Sequence, residues 1–127
     1  MPKSILIVDD SDLIRRMLRR MIEESKQFVV CGEAANGKEA IDQAAKLRPD
    51  MVVLDMSMPE MNGLEAAQIL KKILPTVPLI LYTSHADSVV KEHARAIGFH
   101  AVVPKDTNAE VILVHARNLL GTTTGRS

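Results

Sequence analysis

Aromatic side chains and net charge are both nearly missing from this chain. Its 127 residues include no Trp, one Tyr and two Phe, so Val, Ile, Leu, Met and Ala must fill any hydrophobic core. Lys and Arg number 16 together, and so do Asp and Glu. A neutral chain has no overall electrostatic attraction to DNA or to anionic membranes, and we expect neither as a partner of this domain.

Cysteine and long apolar runs are scarce as well. The single cysteine, Cys31, cannot form an internal disulfide, and its apolar neighbours indicate a buried structural thiol. No apolar run approaches the roughly 18 residues that a membrane-spanning helix needs. Asp9 and Asp10 come too early in the chain for a signal peptide. We therefore expect a soluble, cytoplasmic protein with one domain.

Short apolar runs alternate with longer amphipathic stretches along the chain, a pattern typical of buried parallel strands followed by helices. The predicted strands are residues 5–8, 28–31, 51–54, 78–82 and 101–103. The predicted helices are residues 11–22, 38–47, 64–74, 87–97 and 108–120. Five strand–helix repeats predict an α/β domain over residues 1–121, with a parallel sheet and helices on both of its faces. Residues 122–127 are predicted to be a disordered tail.

Polar and charged side chains follow four of the five predicted strands. They are Asp9 and Asp10 after the first strand, Asp55 after the third, Thr83 and Ser84 after the fourth, and Lys105 after the fifth. In doubly wound sheets, sites form at the carboxyl ends of the strands. We therefore expect these side chains to converge at one edge of the sheet.

The chemistry of this set points to phosphoryl transfer. Three clustered carboxylates repel one another and must either take up protons or bind a cation, and oxygen ligands with room for water favour Mg²⁺. An aspartate carboxylate can attack phosphorus, and the reaction then needs mainly positioning and neutralisation of charge. Taken singly, Asp9 and Asp10 could be helix caps, Thr83 a turn residue and Lys105 a solvated lysine; only their joint placement favours a site.

The chain resembles the receiver domains of two-component response regulators over about residues 3–120. The matching segments are ILIVDDSDLIRRML, VVLDMSMPEMNGLE, LILYTS and GFHAVVPKD. The resemblance implies a flavodoxin-like, doubly wound fold with strand order 2-1-3-4-5. It implies that Asp55 accepts a phosphoryl group from a histidine kinase or a phosphotransfer protein. The chain would then switch a surface that a downstream protein reads, and it would not be a turnover enzyme.

The resemblance also implies a role for each residue of the site. The ligands of Mg²⁺ would be Asp10 directly, Asp9 mainly through water, Asp55, and the backbone carbonyl of Ser57. Thr83 would hydrogen-bond a phosphoryl oxygen and shift inward on activation, while Lys105 would pair with the phosphoryl group. Pro59 and Gly63 would shape the loop that follows the acceptor.

Two positions depart from the family. Val102 replaces the usual aromatic residue that turns inward with the threonine, and Tyr82 should point to the opposite face of its strand from Thr83. Asp106 replaces a proline that commonly follows the lysine, so we expect a trans peptide bond there. The pair Lys105–Asp106 also resembles receivers joined to helix-turn-helix domains, which leaves open that the chain is the receiver half of a longer DNA-binding regulator.

Partner surfaces are suggested by the same resemblance. The kinase or phosphotransfer domain would dock at Ser11, Ile14 and Met17, although Ile14 and Met17 would equally suit the core. Arg15, Arg16, Arg19 and Arg20 are interpreted as a solvated face or, less favoured, as an electrostatic lure for an acidic kinase surface. A homodimer could form through the fourth helix, fifth strand and fifth helix, where charges of both signs are found: Lys91, Arg95, Asp106 and Glu110.

The residues also bear on three other functions. A dehalogenase-type phosphatase would need a second acid two residues beyond Asp55, where Ser57 stands. A nucleotide-binding module would need a glycine-rich loop after the first strand, where the chain has Asp9 and Asp10. A pseudo-receiver that binds partners without phosphorylation stays open because of Val102. The sequence identifies neither the kinase nor the output.

Overall fold

The computed structural model describes residues 2–121, in which five strands alternate with five helices. The strands are β1 (Lys3–Val8), β2 (Phe28–Ala34), β3 (Met51–Leu54), β4 (Leu79–Thr83) and β5 (Ala101–Pro104). The helices are α1 (Asp12–Glu24), α2 (Gly37–Leu47), α3 (Gly63–Ile73), α4 (Ser88–Ile97) and α5 (Val111–Leu120). The predicted disordered tail at 122–127 lies outside the described residues.

All five strands form one parallel sheet in the order β2-β1-β3-β4-β5, which confirms the predicted topology. Every residue of β3 and β4 is buried. Apart from Thr83 at the end of β4, these strands are made of largely apolar side chains, because helices cover both faces of the sheet. The site at the carboxyl edge of the sheet is therefore supported by strands that are buried from solvent.

Strand alternation divides the core into two halves. Leu6 and Val8 pack with α2, α3 and α4 on one face, whereas Ile5 and Ile7 pack with α1 and α5 on the other. Small residues on α2 and α3 allow those helices to lie close to the sheet. The prediction of helices on both faces is confirmed. Among the described residues, no helix has the length and apolarity needed to cross a membrane.

Several boundaries differ from the predicted ones. The second strand continues to Ala34, past a register shift opposite Ile5 and Leu6, because β2 is an edge strand and tolerates the polar Glu33. The fifth helix begins at Val111 rather than residue 108, since Asn108 instead accepts a hydrogen bond from the backbone of Glu110. The side chain of Ser11 caps α1, and Gly98 ends α4 with a φ of 118°.

Some apolar side chains on the helices are exposed rather than packed against the sheet. On α1, Leu18 and Ile22 are buried, but Leu13 is 69% exposed and Met17 is 39% exposed, so the buried stripe is narrower than the apolar one. Ala45 on α2 is exposed as well. Cys31 is only partly buried, and burial raises the pKa of its thiol.

Candidate functional site

The backbone ladder of the sheet carries three site residues past the ends of their strands. The amide of Asp9 donates to the carbonyl of Ala34 (3.0 Å), and the amide of Asp55 donates to the carbonyl of Val8 (2.9 Å). The amide of Lys105 donates to the carbonyl of Thr83 (2.9 Å). Adjacent strands therefore hold these residues in register, as the doubly wound topology predicts.

The three aspartates converge at this edge. One carboxylate oxygen from each of Asp9, Asp10 and Asp55 lies within 4.8 Å of the others. Asp9 is 1% exposed and Asp55 is 6% exposed, whereas Asp10 faces solvent. The site is thus buried at its base and open at its rim, which leaves a route for a ligand.

Lys105 balances part of this negative charge. Its ammonium lies 2.9 Å from Asp9 Oδ2 and 3.3 Å from Asp55 Oδ1, and 5.7 Å from the ring centroid of Tyr82. Burial by itself lowers the pKa of Lys105, but its interactions with Asp9 and Asp55 outweigh burial and raise it. The peptide bond to Asp106 is trans, as predicted.

The charge of the aspartates is not fully compensated by Lys105. Burial, followed by the charge of Asp9, raises the pKa of Asp55 despite the opposing effect of Lys105. Asp9 Oδ2 is buried and accepts no hydrogen bond of regular geometry within residues 2–121. Lys105 is thus an ionic neighbour of that oxygen rather than an aligned donor. A hard divalent cation fits this set of oxygen ligands, since it would satisfy the buried Asp9 oxygen and reduce the repulsion.

Thr83 is fully buried at the end of β4. Its hydroxyl accepts a hydrogen bond from the amide of His85 at 3.0 Å, which is the turn predicted as its ordinary structural role. Tyr82 packs with the core beneath α1 and α5, and strand alternation directs Thr83 to the other face. The predicted opposition of these two side chains is confirmed.

The loop after Asp55 is held by close backbone contacts. The amide of Gly63 donates to the carbonyl of Met56 at 2.8 Å, and a Cβ at Gly63 would press against the carbonyl of Asp55. Glu60 has a positive φ of 68°, so the turn at the loop tip stores some strain. Ser57 lies in this loop with an exposed side chain, and its carbonyl remains a predicted ligand.

Sequence reasoning missed the arginines of α1. Arg15 and Arg19 were interpreted as a solvated face, but both donate hydrogen bonds to Glu33 at the end of β2. Arg20 does face solvent and pairs with Glu24. Arg15 and Arg19 are one helical turn apart and so lie on the same face of α1. This spacing, together with Glu33 on the neighbouring strand, could have indicated the contact.

Val102, at the aromatic position, lines a small surface pocket between α4 and β5. Its volume is about 280 Å³, and its lining residues are Lys91, Arg95, Phe99, His100, Ala101 and Val102. Val102 itself is partly buried against the core.

The comparisons with known sequences agree on one family. The pattern described as the response regulator receiver domain matches residues 5–117. A protein-glutamate methylesterase/protein-glutamine glutaminase from Pyrococcus abyssi is 37% identical over 117 residues, which are 91% of this chain and 31% of that protein. The transcriptional regulatory protein YdfI from Bacillus subtilis is 39% identical over 108 residues, 85% of this chain and 50% of that protein. The chain thus spans a third to a half of such relatives.

Solved structures have the same fold. The response regulator domain of CheB from Thermotoga maritima matches with a TM-score of 0.87 at 26% identity, covering 94% of this chain and 96% of that one. The chemotaxis protein CheY4 from Vibrio cholerae matches with a TM-score of 0.86 at 28% identity, covering 94% and 100%. By sequence and by fold, this chain belongs to the receiver domains of two-component response regulators.

Proposed function

We propose that this chain is a phosphoacceptor that takes a phosphoryl group onto Asp55 from a histidine kinase or phosphotransfer domain. One observation carries the proposal. The buried Asp55 carboxylate has the Lys105 ammonium at 3.3 Å and the carboxylates of Asp9 and Asp10 within 4.8 Å. A nucleophile, a neutralising cation and a set of metal ligands are therefore side by side.

In the reaction, a carboxylate oxygen of Asp55 attacks the phosphorus of a phosphohistidine. An O–P bond forms, the N–P bond to the donor breaks, and the electron pair of that bond returns to the imidazole. Lys105 neutralises charge on the phosphoryl oxygens. The hydroxyl proton of Thr83 is available to a phosphoryl oxygen, since the Thr83 oxygen acts as the acceptor in its bond with His85.

Asp9, Asp10 and Asp55 would hold a bound Mg²⁺, together with the Ser57 carbonyl. The ion would supply charge neutralisation for the phosphoryl group. In its absence the carboxylates repel one another, and burial raises the pKa of Asp55. We therefore expect phosphorylation to require the metal.

The proposal is tested by incubating the protein with acetyl phosphate and Mg²⁺ and measuring the intact mass. We expect the mass of one added phosphoryl group in the native protein, none in Asp55→Asn, and none after chelation of the metal. Asp42→Asn is the control, because Asp42 is an exposed acid on α2 away from the site. A native protein without the adduct would indicate a pseudo-receiver instead, and an adduct that persists in Asp55→Asn would show that another residue is the acceptor.

We infer that the acyl phosphate is moderately labile and that the chain does not act as a turnover enzyme. Ser57 and Ser84, two residues after the acceptor and one after Thr83, are small and exposed, so water can reach the phosphoryl group. The loss of the adduct with time after removal of acetyl phosphate measures this lability.

We further propose that phosphorylation changes the surface formed by α4, β5 and α5, which either a target protein or a second copy of the chain would bind. All four charged residues predicted there are exposed: Lys91, Arg95, Asp106 and Glu110. Charges of both signs on one patch suit a self-complementary dimer. Size-exclusion chromatography with and without a phosphoryl mimic tests this, and a monomer in both conditions contradicts dimerisation.

A second candidate function is the receiver module of a longer regulator. Its support is the length of the relatives, of which this chain matches 31% of a methylesterase/glutaminase and 50% of a transcriptional regulator. The output would then be an attached catalytic or DNA-binding domain. The intact mass of the protein isolated from its own cells distinguishes the two candidates, because a stand-alone receiver has a mass of 14.0 kDa.

We propose that this protein lies in the cytoplasm, where a histidine kinase has access to ATP.

A further inference from the structure

Arg15 joins three parts of the structure next to the acidic site. Its Nη1 donates to the backbone carbonyl of Asp9 at 2.6 Å, and its Nε donates to Glu33 Oε1 at 3.0 Å. It also pairs with Asp12 in the first turn of α1. The side chain is only 15% exposed. One guanidinium therefore links the end of β1, the end of β2 and the start of α1.

Glu33 is itself fixed from a second side. Arg19 donates from Nε to Glu33 Oε2 at 2.6 Å, so each carboxylate oxygen of Glu33 has its own arginine. Burial opposes ionisation of Glu33, but the hydrogen bonds from Arg19 and Arg15 outweigh it and lower the pKa. Glu33 is thus ionised at neutral pH and bound by one arginine on each carboxylate oxygen.

The contact with Arg15 completes the fixation of Asp9. The amide of Asp9 is bound to Ala34 at 3.0 Å, and Asp9 Oδ1 accepts from the amide of Ser11 at 2.9 Å. Arg15 binds the remaining backbone group, the carbonyl. This carbonyl belongs to the planar peptide unit between Asp9 and Asp10, so its direction sets where Asp10 leaves the strand.

We propose that Arg15, supported by Glu33, is a positioning residue that orients Asp9 and Asp10 for a divalent cation. The inference rests on the proposed metal-dependent function but concerns the affinity for the cation, not the phosphoryl transfer. Arg15 does not compete with the cation, because Glu33 and Asp12 already neutralise its charge. A partner that orients a metal ligand typically contributes 10- to 100-fold to metal affinity.

The test measures Mg²⁺ binding to the unphosphorylated full chain by titration calorimetry. We expect Arg15→Met, which keeps the aliphatic stem, to weaken Mg²⁺ binding about tenfold. Glu33→Gln should also weaken Mg²⁺ binding, because Arg15 then loses its charged partner. Arg20→Met is the matched control on the same helix and should leave the affinity unchanged, because within residues 2–121 Arg20 pairs only with the exposed Glu24.

A second measurement distinguishes the proposed positioning role of Arg15 from a purely structural one. The rate of labelling by acetyl phosphate is measured against Mg²⁺ concentration, with thermal unfolding of each variant alongside. We expect the half-saturating Mg²⁺ concentration of Arg15→Met to rise about tenfold while the rate at saturating Mg²⁺ stays near the native rate. A lower melting temperature with an unchanged half-saturating concentration in both Arg15→Met and Glu33→Gln overturns the inference.

Failure of this inference and failure of the proposed function give different results. A native chain that binds Mg²⁺ but is never labelled removes the phosphoacceptor proposal and leaves the calorimetric test of Arg15 intact. A native chain that is labelled, with Arg15→Met binding Mg²⁺ as tightly, removes the inference alone. A native chain that binds no Mg²⁺ removes both.

Discussion

At the scale of single residues, Lys105 has two opposing roles. Its ammonium lies 2.9 Å from Asp9 and 3.3 Å from Asp55 and neutralises part of their charge, and in the proposed reaction it would also neutralise the phosphoryl group. In the proposed function Lys105 would therefore compete with the metal and also assist the reaction. The two roles can be separated because one is measured by binding and the other by rate.

We expect Lys105→Met to slow labelling of Asp55 by acetyl phosphate about 100-fold, the usual effect of removing one charge-stabilising group. The same variant should bind Mg²⁺ more tightly than the native chain, because Asp9 and Asp55 lose their resident cation. Intact-mass kinetics and calorimetry measure the two effects. Lys91→Met, at an exposed position on α4, is the control, and weaker Mg²⁺ binding by Lys105→Met would contradict this explanation.

At the scale of elements, the acceptor loop depends on the close approach of α3 to β3. Gly63 begins α3 and lies against the carbonyl of Asp55, where a Cβ has no room. We expect Gly63→Ala to destabilise the fold by about 1–3 kcal/mol, the cost of overpacking, and also to slow labelling because Asp55 must move. Urea unfolding and intact-mass kinetics check both effects.

Asn62→Ala provides the comparison for this glycine. It removes the capping box of α3, in which Asn62 and Glu65 exchange hydrogen bonds, and should cost about 1 kcal/mol. It leaves the space beside Asp55 unchanged. Equal slowing of labelling in the two variants would mean that loss of helix stability, rather than the packing at Asp55, explains the effect of Gly63→Ala.

The contact between α1 and β2 predicts a pH dependence of stability. The pKa of Glu33 lies below its ordinary value of 4.5. A carboxyl group whose pKa folding lowers stabilises the protein above its unfolded pKa, and this is lost as pH falls through the folded pKa. Glu33→Gln should therefore be less stable by about 1–2 kcal/mol at neutral pH, and the difference should begin to shrink as pH falls below 4.5 and vanish once the pH is below the lowered pKa of Glu33 in the folded state.

Urea unfolding of both proteins over this pH range measures the difference. Glu24→Gln is the control, because its pair with Arg20 is exposed on both sides and should contribute about 0.5 kcal/mol or less. A Glu33→Gln difference that stays constant down to strong acid would show that the ion pairs with Arg15 and Arg19 are not its source.

At the scale of the whole molecule, the acidic site reduces the stability of the metal-free fold. The pKa of Asp55 is raised by burial and by Asp9, so the folded state disfavours its charge above the unfolded pKa. We expect Asp55→Asn to increase the free energy of unfolding by about 1 kcal/mol in a chelator. Chemical denaturation measures both effects, and Mg²⁺ should stabilise the native chain more than it stabilises Asp55→Asn. If the native chain is more stable than Asp55→Asn in the presence of chelator, the prediction is contradicted.

One feature of the sequence allowed both the fold and the main acidic residues to be predicted. Continuous apolar strands ending in Asp9 and Asp55 are local signals, and parallel topology brings strand ends together. The contacts of Arg15 with Glu33 could not be predicted, because they depend on the register between β1 and β2 and on the rotation of α1. The exposure of Leu13 could not be predicted either, because helical spacing alone does not show how much of the apolar side of α1 packs against the sheet.

The hydrogen bond from the His85 amide to the Thr83 hydroxyl has a consequence for how this receiver could signal. If Thr83 turns toward a phosphoryl group, its oxygen leaves the amide of His85, and the chain between β4 and α4 loses an anchor. The signal of phosphorylation would then be the exposure of the His85 amide to solvent, rather than the rotation of an aromatic side chain. A chain with Val102 at the aromatic position would still report its state, as faster deuterium exchange at the entrance to α4.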